Sequence, residues 1–254
     1  MNIAADRRAF LGSIGALVIL AWMTLWIWDR SPYARYLDHG SLSEIGTASL
    51  LIPVVLYLVG WTLMTTAMML PTTVPLLEIF HRLIAHRPER SQLMALLIAG
   101  YLSVWAAFGI AAHLADWVLH ELVERNPWLE ANAYVIGAGT LLVAGAFQFS
   151  RLKYRCLDKC RAPLSFVMSY WRGANNRRNA LWLGVNHGVF CVGCCWALML
   201  LMFGVGVGNV GWMLALGVVM AVEKNTRWGR NLSRPLGLTL IAWGTLILLK
   251  HSCL

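Results

Sequence analysis

The stretch "FLGSIGALVILAWMTLWIW", Phe10 to Trp28, runs for nineteen residues without a charged side chain. A segment of ~20 apolar residues is the length at which a helix, satisfying all its own backbone hydrogen bonds, crosses a bilayer core. Six further apolar stretches follow: Ser49 to Leu70, Leu93 to Ala115, Ala133 to Phe149, Ala180 to Phe203, Asn209 to Val222 and Pro235 to Leu249. The last two are short. Hydrophobic residues make up 59% of the chain and charged ones 13%, about half the usual quarter. So little charge cannot cover a water-exposed surface. The pattern predicts an all-α, polytopic helical membrane protein with about seven transmembrane helices in a single transmembrane domain, residues 1–254.

Lysine and arginine give an independent check, because the connections that hold them stay in the cytoplasm. With the N-terminus inside, the inner segments carry seventeen and the outer segments four. This alternation predicts a cytoplasmic N-terminus and an outer C-terminus. Orientation and anionic lipid account for the net charge of +9, so the lipid bilayer is the first partner and nucleic acid is excluded. Arg7 and Arg8 precede the first run as in a twin-arginine signal, but no small-x-small site follows the run, which reads as an uncleaved helix.

One short resemblance within the chain bears on its organisation. "GWTLMTTAMM" from Gly60 and "CWALMLLMF" from Cys195 share Trp-x-Leu-Met in spans of opposite direction. That permits an inverted three-helix repeat, a common transporter design. The connection from Arg151 to Asn179 is strongly basic and reads as a cytoplasmic segment lying on the membrane surface. Glu223 and Lys224, ending the sixth span, read as a surface ion pair. Pro71 and Pro75 are expected to kink or end the second span.

The densest chemistry lies in "HGVFCVGCCWALM", residues 187 to 199. His187, Cys191, Cys194, Cys195, Met199 and Met202 follow helical steps of three to five, which put them on one flank. Met64, Met68 and Met69 form a second sulfur cluster in span two, at the depth expected for His187 and Cys191. Cys156 and Cys160, in "CLDKC", form a cytoplasmic pair where thiols stay reduced. Thiols and thioethers are soft donors that select Cu(I), with zinc and iron less suited to a methionine-rich set. No Ser-His-Asp order, phosphate loop or HExxH pattern indicates an enzyme.

These elements, "WTLMTTAMMLPTTVPLL", "CLDKC" and "GVNHGVFCVGCCWALMLLMFGVG" followed by "AVEKN", resemble a bacterial family of uncharacterised, predicted metal-binding integral membrane proteins. The CxGCCW element carries most of that specificity. The resemblance implies metal handling in a bacterial inner membrane, with its motif falling on Met64, Met68, Met69, Pro71, Cys156, Cys160, His187, Cys191, Cys194, Cys195, Met199, Glu223 and Lys224. The resulting expectation is a protein that binds Cu(I) for transport across the membrane or delivery to a cuproenzyme, with a metallochaperone or cuproenzyme as partner and room for an oligomer. Two rivals remain at this level: a membrane thiol redox or cofactor-binding protein, and an assembly subunit whose small residues and methionines only pack.

Overall fold

The computed structural model describes residues 3–31, 51–171, 176–205 and 210–252. Ser49, Leu50 and Asn209, at the ends of two predicted spans, and Cys253 lie outside them. All regular structure among the described residues is helical: α1 (Ile3–Asp29), α2 (Leu51–Leu83), α3 (Arg90–Glu124), α4 (Pro127–Ala131), α5 (Tyr134–Phe147), α6 (Arg151–Cys160), α7 (Pro163–Tyr170), α8 (Asn176–Val205), α9 (Val210–Asn225) and α10 (Gly229–Ser252).

The seven apolar stretches fall on α1, α2, α3, α5, α8, α9 and α10. Five of these helices, α1, α2, α3, α8 and α10, are long and apolar enough to cross a membrane, and α5 with α6 would make a sixth if that bent pair is one span. α5 and α9, at 14 and 16 residues, fall short of the ~20 residues of a full crossing. The outward faces carry apolar side chains, among them Leu17, Ile19, Leu20 and Met23 on α1 and Leu238, Leu246 and Leu249 on α10.

Ion pairs gather alternate helix ends at one end of the bundle. Asp6 of α1 meets Arg90 at the start of α3 at 3.2 Å, Arg7 meets Glu78 near the end of α2, and Glu89 meets Arg177 at the start of α8 at 3.1 Å. At that same end Asp158 of α6 meets Arg230 of α10 at 3.4 Å. The opposite ends of α5 and α10 meet through the stacked rings of Tyr134 and His251. The ends held together by ion pairs are those the charge pattern assigns to one side.

α3 and α8 approach backbone to backbone. A Cβ on Gly184 would overlap the carbonyl of Leu97, and one on Gly100 would overlap that of Leu181. Small residues permit this approach where apolar burial gives no net drive between helices. Such closeness holds the flank of α8 that bears the cysteines at a set distance from α2 and α3.

α2 runs unbroken through both prolines, contrary to an end at Pro71. Proline at 71 has no N–H for the carbonyl of Ala67. The indole Nε1 of Trp22, from α1, donates to that carbonyl at 3.2 Å instead. The hydroxyls of Thr72 and Thr73 donate to the carbonyls of Met69 and Leu70 at 2.7 and 2.8 Å. A neighbouring helix and local hydroxyls thus supply what the proline removes.

The basic connection also differs from a surface segment. Ser150 caps the start of α6, its hydroxyl accepting from the Lys153 amide at 3.1 Å. The two helices are bent by 65°, which turns α6 back against α8 and α9. Lys153, Cys156, Leu157 and Cys160 follow helical spacing on its inner face, and the first three are buried. Burial of Lys153 is compensated: its ammonium lies 2.7 and 2.9 Å from the two carboxylate oxygens of Glu223 and contacts the amide oxygen of Gln148. The Ser233 hydroxyl donates to the same carboxylate at 2.7 Å.

Candidate metal centre

The centre is assembled from α2, α3, α6, α8 and α9. α8 supplies Cys191, Cys194 and Cys195, one helical turn apart and all nearly inaccessible to solvent. The thiols of Cys194 and Cys195 turn back along their own helix toward the carbonyl of Cys191, at 3.1 and 2.9 Å. Cys191 faces α3, with its sulfur 3.1 Å from the Tyr101 hydroxyl. That hydroxyl lies 3.5 Å from the carbonyl of Met69, so α2, α3 and α8 meet at one level.

Across from α8, the Met69 thioether lies 3.9 Å from the thiol sulfur of Cys195. Met64 and Met68 are equally buried, but no sulfur-to-sulfur contact ties either to the thiols. Met68 packs toward Gly217 of α9. Helical geometry explains the division, since residues 68 and 69 point ~100° apart around the axis. Met69 shares the flank of Thr72, which also faces the pocket.

The fourth side is Lys224 of α9. Its Nζ lies 2.9 Å from the Cys191 sulfur, 3.3 Å from the Thr72 hydroxyl, 3.7 Å from the Met69 sulfur and 3.8 Å from the Cys195 sulfur. Glu223 and Lys224 are therefore no surface pair: both are buried, and they diverge. Glu223 turns to Lys153 of α6, while Lys224 turns into the sulfurs. Successive helical residues cannot share a flank.

Cys156 and Cys160 form a second layer. Cys156 is buried against Gly193, where a Cβ would come within 2.6 Å of its sulfur. The Cys160 thiol lies close enough to that of Cys194 for the two to interact. The pair that the sequence places at the cytoplasmic side is thus folded onto the span that carries the other thiols. His187 is buried between the rings of Tyr101 and Phe166, at centroid distances of 5.6 and 5.5 Å. Its Nδ1 has no hydrogen-bond partner among the described residues. A buried polar atom left open in this way costs about 1–3 kcal/mol, which marks it as a vacant donor position.

Met199 and Met202 continue the flank of α8 in the same core, joined by Met213 and Met220 of α9. Among the described residues, no three His, Cys, Asp or Glu side chains are arranged to hold a metal ion. The donors that do converge are two thiols and a thioether, a set suited to a soft ion of low coordination number rather than to tetrahedral zinc. The 3.9 Å between the Cys195 and Met69 sulfurs would allow both to bind one soft ion.

An all-helical bundle with an apolar exterior and two thiols and a thioether converging in its interior fits a class of soft-metal handling proteins. The sulfur residues of the centre, from Met64 to Met220, all lie within residues 58–247, which match the model of the PpoB2 family, described as a copper chaperone. The chain belongs to that copper chaperone family. No curated protein and no solved structure matches it significantly.

Sequence reasoning placed Lys224 in the motif but read it as half of a surface pair, and it missed Thr72, Tyr101, Met213 and Met220. The readable signal was Lys224 itself, since an ionisable residue at the end of an apolar span is a functional candidate by default.

Proposed function

We propose that the protein is a membrane-embedded chaperone that binds one Cu(I) on Cys191, Cys195 and Met69 and delivers it to a cuproenzyme under assembly. The observation that carries this reading is the convergence of thiol and thioether sulfurs from α2 and α8 in one dry pocket, with the Cys195 to Met69 separation of 3.9 Å. Cys156, Cys160 and Cys194 would form an adjacent relay between the inner face of α6 and the middle of α8. Met199 and Met202 extend the donor path toward the other face, and His187 offers a further nitrogen. A Cu(I) ion exchanging one sulfur at a time would pass along these donors without entering water. The long apolar helices and apolar outer faces support insertion in a bilayer, here taken to be a bacterial inner membrane.

The test is Cu(I) stoichiometry and affinity, by competition with a chromophoric Cu(I) chelator, on the full chain in lipid discs under reducing conditions. One tightly bound ion is expected, with binding lost in the Cys191, Cys194, Cys195 triple serine variant. Met69→Leu should weaken it by about tenfold while Met64→Leu changes it little, both swaps being nearly volume-conserving. Unchanged stoichiometry in the triple variant would refute the site.

The Cys160 to Cys194 contact favours a second reading, thiol–disulfide exchange between α6 and α8. Trapping of a reversible Cys160–Cys194 disulfide in membranes, with no copper bound, would select it.

A further inference from the structure

Lys224 places a full positive charge inside the pocket proposed to receive a cation. On electrostatic grounds alone that is a poor design for a metal site. Its Nζ is surrounded by two thiols, one thioether and one hydroxyl, and among the described residues no carboxylate comes within ion-pair distance of it. The neighbouring carboxylate, Glu223, is committed to Lys153. An uncompensated ion in a dry interior costs several kcal/mol, so the charge of Lys224 has to be balanced by whatever the sulfurs become.

We propose that Lys224 is a specificity-determining residue, a fixed counter-charge that makes this pocket accept a monovalent soft cation and reject divalent ones. The inference rests on the copper reading above and concerns the charge of the ion. Bound thiols are thiolates. Two thiolates, Cys191 and Cys195, with one monovalent ion carry a net charge of minus one, which the ammonium cancels. With a divalent ion the same two thiolates are already neutral, and the ammonium is then left unbalanced in a low-dielectric site. Softness cannot make this distinction, because thiolates also bind zinc and cadmium well. The fixed lysine can. Its long stem further lets the ammonium withdraw toward Thr72 as the ion enters, without leaving the pocket.

The test compares Cu(I) and Ag(I) with Zn(II) and Cd(II), by competition on the full chain in lipid discs, for wild type, Lys224→Met, Lys224→Arg and Thr72→Asp. Wild type is expected to take one monovalent ion and to exclude the divalent ones. Lys224→Met should lower the monovalent-over-divalent preference by about tenfold or more, as expected for an unbalanced buried charge. Lys224→Arg, which keeps the charge, should retain the preference. Thr72→Asp keeps the lysine but places a carboxylate beside it, and should shift the preference toward divalent ions even if Lys224→Met does not fold. Helical circular dichroism checks the fold of each variant. A wild-type preference ratio in folded Lys224→Met, or in Thr72→Asp, would overturn the role of Lys224 and leave the copper reading standing. Absence of Cu(I) binding by wild type would overturn the copper reading itself.

Discussion

Replacement of Lys153 by Met probes the contact that folds α6 onto the thiol-bearing helices. Lys153 and Glu223 have side chains 0% and 3% exposed, with the ammonium 2.7 Å from one carboxylate oxygen and 2.9 Å from the other. Lys153→Met leaves the carboxylate buried with the Ser233 hydroxyl as its remaining side-chain donor. Losing one partner of a buried pair costs about 3–5 kcal/mol, whereas removing both leaves no stranded charge. The double variant Lys153→Met, Glu223→Gln is therefore expected to be more stable than Lys153→Met by about 2 kcal/mol. Equilibrium unfolding of the four proteins in mixed micelles, followed by helical circular dichroism, measures both differences. Because α6 carries Cys156 and Cys160 on the same inner face as Lys153, the single variant should also speed their alkylation by maleimide, and the double variant should restore slow labelling. A single variant within about 1 kcal/mol of wild type, or a double variant no better than the single, would refute the reasoning that this pair is a desolvated clamp.

Two further outcomes follow from the packing. Gly184→Ala should destabilise by about 1–3 kcal/mol, because its Cβ overlaps the Leu97 carbonyl on a backbone that cannot step aside; Gly12→Ala, with open space around it, should be neutral or slightly stabilising in the same unfolding assay. Trp22→Phe should cost about 1 kcal/mol by leaving the Ala67 carbonyl without a donor, and the cost should shrink in a Pro71→Ala background, where the helix regains its own N–H.

Much of this arrangement is legible in the amino-acid order. The spacing of Cys191, Cys194, Cys195 and Met199 puts them on one flank of a helix whatever surrounds it. The basic residues sort into alternate connections, the pattern expected of a spanning chain, and the ion pairs Asp6 to Arg90 and Glu89 to Arg177 join ends that the sorting assigns to one side. Less legible was the segment after Ser150. Its charges suggested a surface, yet helical spacing puts one lysine and two cysteines on a common face, and the partners Glu223 and Gln148 make burial of that lysine tolerable.

What the sequence determined by itself is therefore one-dimensional: apolar runs, helical flanks and the distribution of charge, all set by the geometry of a single helix and its solvent. Tertiary structure decided which flanks meet. It brought Met69 rather than Met64 or Met68 to the Cys195 thiol, folded α6 against α8, and turned Glu223 and its neighbour Lys224 in different directions. A helix's periodicity says which residues share a face, but the occupant of the opposite face depends on crossing angle and axial register, and here those follow from glycine contacts between distant segments of the chain.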